Sequence, residues 1–253
     1  MAAQRIDKIL SSANIASRSG VKALIKAGRV LANGQVVKRP EEKFDPLTTT
    51  FSVDGQPVVV RSYSYIMLYK PQGVLSASTD KRAKTVIDLL PDELKDRDLF
   101  PAGRLDKDTE GFILLTNDGN LAHKMLAPKS HVYKRYEVHC DRILTESDCQ
   151  AFANGIQTGE QTFLPAEMKL LGENKALVEI CEGKFHQIKR MFHAVGAEVI
   201  YLKRLKIGGV SLDETLAVGQ ARRLTEQEIV ELLSRNHGIN EEISCTFCIK
   251  TTS

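Results

Sequence analysis

The hydrophobic positions along this chain change their spacing several times, and each change predicts a different element. Ile6, Ile9, Leu10 and Ala13 recur at three- and four-residue intervals, so residues 4–12 read as an amphipathic helix. Val21, Leu24 and Ile25 repeat that spacing in a second helix, which Ser17 or Ser19 can cap and Gly28 stops. Hairpin signals follow: Asn33-Gly34 and Asp54-Gly55, each between short runs rich in valine. Residues 65–69 predict a strand halted by Lys70-Pro71-Gln72-Gly73. Residues 85–91 predict a short helix ended by proline, and residues 120–126 a helix with Leu121, Met125 and Leu126 inward. Over 131–140 the pattern alternates, putting Val132, Lys134, Tyr136, Val138 and Cys140 on one face of a strand, and 176–181 alternates again. Phe185, Ile188, Phe192 and Val195 return to helical spacing until Gly196. A capping box (Thr225, Glu228) and a hydrophobic staple (Leu224, Ile229) open a last helix over 226–233.

One segment stands apart. Residues 103–119 set a loop dense in carboxylates (Asp106, Asp108, Glu110) against a wholly apolar run, 112–115, closed by the turn signal Asn117-Asp118-Gly119. So short and apolar a run reads as a buried strand, which brings the carboxylates next to the core. Three readings compete. The acids can be turn formers and surface charge. They can form a calcium loop, but its twelfth position would be Asn117 rather than a glutamate and Leu114 would occupy a ligand position, so this reading is rejected. Or one of them is a catalytic carboxylate beside a base, with Arg104 two residues from Asp106 to keep it ionised.

Composition narrows the class. A chain of 253 residues holds one large or two modest domains. No apolar run approaches bilayer-spanning length, and the first residues carry no signal-peptide core, so no membrane association is expected. Five scattered cysteines point to reduced thiols and a cytoplasmic location. The net charge of +3 is uneven, with nine Lys/Arg against five Asp/Glu in residues 1–60. Arg18, Lys22, Lys26 and Arg29 fall on one side of the second helix by its periodicity, a ridge that can follow a phosphate backbone; an idle basic face is the competing reading.

Gly103-Arg104-Leu105-Asp106, Thr109, Gly111 and Leu114-Leu115-Thr116-Asn117-Asp118-Gly119 together resemble the signature of the RsuA/RluB/E/F family of RNA pseudouridine synthases. Lys70-Pro71-Gln72-Gly73 is a further mark of that family, with Tyr69 where asparagine is usual. So are Lys134-Arg135-Tyr136, the run from Glu182-Gly183-Lys184-Phe185-His186-Gln187-Ile188-Lys189-Arg190 to Phe192, and Ile207-Gly208-Gly209. Gly208-Gly209 is expected to turn beside the active cleft. Residues 1–60 resemble the S4 RNA-binding domain through Arg5–Lys8, Ser17-Arg18, residues 25–30 and Asn33-Gly34. The resemblance implies an α+β protein. A small S4-like (αα plus β) domain over 1–60 and a linker over 61–64 precede a mixed, mainly antiparallel-sheet catalytic domain over 65–235. A flexible tail over 236–253 carries Cys245 and Cys248, half a zinc site without a partner pair.

The same resemblance implies roles. Asp106 is the catalytic aspartate, through attack on sugar or base or through removal of a ribose proton. Tyr136 stacks on an everted uracil, as an aromatic face suits an unstacked pyrimidine. Lys189 pairs with Asp106, and Arg104 helps hold the base out of its stack. Helical spacing alone sets Lys189 at the edge of the apolar stripe and Arg190 on the wet side, where it meets solvent or phosphate; a plain interface lysine is the alternative. His186 and His193 read as RNA-facing or idle. The expected partner is rRNA, nearest to the branch acting on 16S rRNA within an assembling small subunit, with no cofactor, no metal and a monomeric chain. The same chemistry on 23S rRNA, or a silent RNA-binding assembly factor, are the alternatives.

Overall fold

The computed structural model describes residues 3–13, 15–46, 48–60, 63–159, 161–234 and 238–239. The N-terminal part runs β1 (Gln4–Arg5), α1 (Ile6–Ser12), α2 (Arg18–Lys26), β2 (Val30–Ala32), β3 (Gln35–Val36), β4 (Lys43–Phe44), β5 (Phe51–Val53) and β6 (Gln56–Val58). Ser17 caps α2 by accepting from the Gly20 N–H, and Gly28 ends it with a positive φ of 70°. Both hairpin turns carry positive φ at their two central residues, Asn33-Gly34 and Asp54-Gly55, as the primed turns require. Ile6, Leu10, Val21, Ile25, Val30 and Phe51 close one core between the helix pair and the sheet β3-β2-β5-β6.

The remainder is built on a nine-stranded sheet. Its elements are β7 (Tyr65–Lys70), β8 (Phe100–Pro101), β9 (Glu110–Thr116), α3 (Gly119–Leu126), β10 (Lys134–Cys140), α4 (Glu146–Asn154), β11 (Ile156–Thr158), β12 (Gln161–Phe163), β13 (Glu167–Gly172), β14 (Lys175–Ile180), α5 (Gln187–Ala194), β15 (Val199–Ile207), β16 (Val210–Ser211), β17 (Ala221–Arg223) and α6 (Glu226–Glu231). The sheet order is β13-β14-β10-β15-β9-β7-β17, with β16 on β15 and β8 on β9; β11 and β12 form a separate two-stranded sheet. Every strand pairing in the main sheet is antiparallel except β9 with β15 at its centre.

The apolar run of β9 follows from this position. Ile113 and Leu115 pack with α4 and α5 on one face, while Phe112 and Leu114 pack with α3 and α6 on the other. A strand covered on both faces loses the polar alternation of a half-exposed one. Among the described residues no helix is long and apolar enough to cross a membrane.

Five expectations need correction. Residues 85–91 form turns: the Asp88 carboxylate takes both the Thr85 N–H and hydroxyl, and Thr85 bridges to Leu75. Leu126 is exposed, and Ala122 lies inward with Met125 instead. Phe185 precedes α5 and is exposed. Gly208 turns against the end of α6, where a Cβ would stand 2.2 Å from the Leu232 carbonyl, and not beside the cleft. At the start of the supposed tail Ile239 is buried and Gly238 accepts from Arg135; Cys245 and Cys248 lie outside the described residues.

Asp148 shows how α4 is fastened. Its carboxylate closes the capping box with Thr145 and takes two hydrogen bonds from Arg142, which hold its pKa down to about 2. A folded pKa below the unfolded one stabilises the fold above the unfolded value and stops doing so as pH falls through the folded value. Asp148→Asn is therefore expected to cost about 2 kcal/mol at neutral pH, with the gap to wild type closing between about pH 4 and 2. Urea midpoints across that range check it.

Candidate active site

A cleft of about 480 Å³ opens where β10, β15 and β9 meet, bounded by the 103–109 loop and by the segment leading into α5. Arg204 and Tyr136, opposite each other on neighbouring strands, line its floor, and Gly111 lies opposite Arg204 on the next strand. Gly111 has φ +108°, and a Cβ there would stand 2.3 Å from the Arg204 carbonyl oxygen, so only glycine lets the two central strands meet. The register of β10 against β15 shifts between Arg135 and Tyr136. Such irregularities re-aim a side chain. Tyr136 lines the cleft with 8 % of its surface exposed.

The loop carrying Asp106 is held by its backbone. Lys70, fully buried at the end of β7, donates from Nζ to the carbonyls of Pro71 (2.9 Å), Asp106 (3.1 Å), Lys107 (3.4 Å) and Thr109 (2.8 Å). Gly73 N–H adds a bond to the Lys107 carbonyl at 2.7 Å. The Ser76 hydroxyl both donates to the Leu105 carbonyl and accepts from its N–H. The Lys-Pro-x-Gly segment is thus the clamp of the aspartate loop. Burial pushes the Lys70 ammonium down to about 8. Tyr69, the departure from the usual asparagine, donates to Glu110 at 3.3 Å and lies under the Lys203 ammonium, a packing contact outside the cleft lining.

Asp106 lines the cleft with its carboxylate about a quarter exposed, and two bases approach it. Lys189 Nζ lies 3.6 Å from Oδ2 and His186 Nε2 lies 3.4 Å from Oδ1. The expected Lys189–Asp106 pair is therefore present but is the longer of two: Lys189 stands 2.6 and 2.7 Å from the carboxylate oxygens of Asp108. Those bonds hold the Asp108 carboxyl below the usual carboxylate range. His186, read from sequence as RNA-facing or idle, reaches Asp106 because its backbone adopts a left-handed φ of 48°; its ring stacks on exposed Phe185 at the rim.

Three other expectations change. Arg104 lines the cleft but is exposed and, among the described residues, makes no ion pair with Asp106; the base beside that carboxylate is Lys189. Arg190 is turned back onto the protein, bonding Thr158 Oγ1 and Gln161 and lying over the Phe163 ring. Arg29 follows α2 and pairs with Asp54, so the basic ridge of that helix is Arg18, Lys22 and Lys26, all exposed. His193 pairs with Glu198.

Sequence reasoning met Lys70, Lys134 and Thr109 only as members of motifs, without a role in the site, and passed over Arg204. Lys134 had a signal: the alternation of β10 put it on the buried face, where a lysine is out of place.

A model of the RNA pseudouridylate synthase family matches residues 64–194, and the S4 domain model matches residues 4–46. The chain is 49% identical over 231 residues to an RNA pseudouridine synthase of Bacillus subtilis, YtzG, covering 89% of this chain and 96% of that one. It is 36% identical over 232 residues to ribosomal small subunit pseudouridine synthase A of Escherichia coli K12, covering 90% and 100%. A crystal structure of a pseudouridylate synthase superposes with a TM-score of 0.64 at 34% identity, covering 90% and 99%. Sequence motifs, sheet topology and these likenesses agree: the chain belongs to the RNA pseudouridine synthases, isomerases that here carry an S4 domain ahead of the synthase fold.

Proposed function

We propose that the protein converts one uridine of 16S rRNA to pseudouridine in this cleft, with Asp106 as the catalytic carboxylate. The observation that carries the reading is the convergence on one cleft of a partly exposed carboxylate, two bases within 3.6 Å of it, and the Tyr136 ring on the neighbouring strands. A carboxylate that must act while ionised needs positive charge close by once solvent is excluded. Lys189 supplies that charge. Asp108 holds Lys189 in place until an everted nucleotide fills the cleft, and Tyr136 gives the flipped uracil a face to stack on. Arg104, free at the rim, is suited to the displaced strand or its phosphates.

The small-subunit target is supported by relatives in Escherichia coli and Vibrio cholerae whose name, ribosomal small subunit pseudouridine synthase A, states that substrate, at 36% and 38% identity over about nine-tenths of this chain. Tritium release from C5-labelled uridine in 16S and in 23S transcripts tests it. Release from 16S alone is expected; release from 23S alone moves the target, and release from neither removes the activity.

The ridge of Arg18, Lys22 and Lys26 is assigned to phosphate binding. Replacing all three with glutamine is expected to weaken rRNA binding and to flatten its dependence on log salt by about 0.7–0.9 for each phosphate that is no longer neutralised. An unchanged slope would take the RNA anchor away from α2.

A further inference from the structure

The floor of the cleft holds more unanswered donor capacity than a resting protein site accounts for. Arg204 is 4% exposed and Lys134 is 7% exposed, and neither forms an ion pair among the described residues. Arg204 Nε donates to the Phe112 carbonyl at 2.7 Å and Nη1 reaches the Tyr136 hydroxyl at 3.4 Å, but buried Nη2 has no acceptor among the described residues. The hydroxyl of Thr109, a residue 1% exposed in the same cleft, is also without a partner among the described residues. Lys134 Nζ has one long contact, 3.5 Å to the Cys181 carbonyl. The nearby carboxylates are committed elsewhere: Asp106 faces Lys189 and His186, and Glu182 takes Lys184, Gln187 and the Leu164 N–H. A buried guanidinium with an idle N–H is costly unless something arrives to use it.

We infer that Arg204 Nη2, with Lys134 and the Thr109 hydroxyl behind it, forms a built-in anion subsite for the uracil ring in the moment it is detached from the ribose. The inference rests on the proposed uridine isomerisation. In that reaction the C1′–N1 bond breaks and its electron pair stays on the uracil, delocalised onto the ring oxygens. The ring turns, C5 bonds to C1′, the C5 proton leaves and N1 gains a proton, so atoms and electrons balance without a co-reactant. Donors fixed in place before charge develops stabilise it most when water is excluded. Burial supports the assignment: it pushes the Lys134 ammonium down to about 8, with the Arg204 charge adding to that. Here Arg204 acts on the ring once it is detached, while Asp106 acts in detaching it.

Single-turnover consumption of uridine and of 5-fluorouridine placed at the same RNA position tests this, in wild type, Arg204→Lys and Arg204→Gln. Circular dichroism checks the fold, and RNA Kd is measured in parallel. Fluorine makes the departing ring a weaker base that depends less on outside stabilisation. Arg204→Gln is expected to lose about 100-fold with uridine and no more than about tenfold with 5-fluorouridine, as removal of one such donor typically costs about 10²–10³-fold. Arg204→Lys should fall between, with RNA Kd within about threefold of wild type throughout. An equal loss on both RNAs in the lysine variant, which keeps the charge, would make Arg204 a packing residue. A loss confined to Kd would make it a phosphate contact. Either overturns the inference. Wild type that consumes no uridine would instead defeat the isomerase reading itself.

Discussion

Asp106→Asn is expected to fold, bind rRNA and make no pseudouridine, with single-turnover conversion down by at least about 10⁴-fold, or about 5.5 kcal/mol of barrier. The structure separates this loss from a folding defect. The bonds that hold the Asp106 loop run through its backbone: its carbonyl accepts from Lys70 Nζ and from the Thr109 N–H. An asparagine keeps both. Lys189 keeps its closer partner, Asp108, so no cation is stranded. Only the negative charge facing the cleft disappears. A melting temperature near that of wild type, an unchanged RNA Kd and absent tritium release are the joint expectation; appreciable turnover in the variant would remove Asp106 as the catalyst.

Lys70→Met is expected to damage both stability and rate. Methionine fills much of the volume of this fully buried side chain but gives its carbonyls no donor: those of Asp106 and Lys107 keep the Thr109 and Gly73 N–H groups, while those of Pro71 and Thr109 lose the Lys70 bond. Each unsatisfied buried group costs about 1–3 kcal/mol, offset partly by no longer burying an ammonium, so a net loss of about 3 kcal/mol is expected in urea unfolding. The released loop carries Asp106, and displacement of a reacting group by about 1 Å costs on the order of 10²-fold in rate. A variant with wild-type kcat would show that the clamp is not what places the carboxylate.

These two residues also show what the sequence could and could not disclose. The long signature around Asp106 and the period-two face bearing Tyr136 were readable, because each leaves a local pattern. The helix caps and hairpins were readable for the same reason. The turn over 85–91 was not: helical spacing of apolar residues cannot reveal that Asp88 folds back onto Thr85. The partition of Lys189 between Asp106 and Asp108, the rotation of Arg190 onto Thr158, and the meeting of Gly111 with Arg204 are long-range facts. Arg204 lies 68 residues from Tyr136 in sequence and touches it only because β10 pairs with β15. Lys70 was seen as a motif member, but its work depends on where the 106–109 carbonyls fold.

Pseudouridine mapping in a strain lacking this gene bears most directly on the central claim. One position in 16S rRNA is expected to lose its modification, to regain it with the wild-type gene, and to stay unmodified when the gene carries Asp106→Asn. An intact 16S pattern in the deleted strain, or restoration by the asparagine variant, would contradict the account.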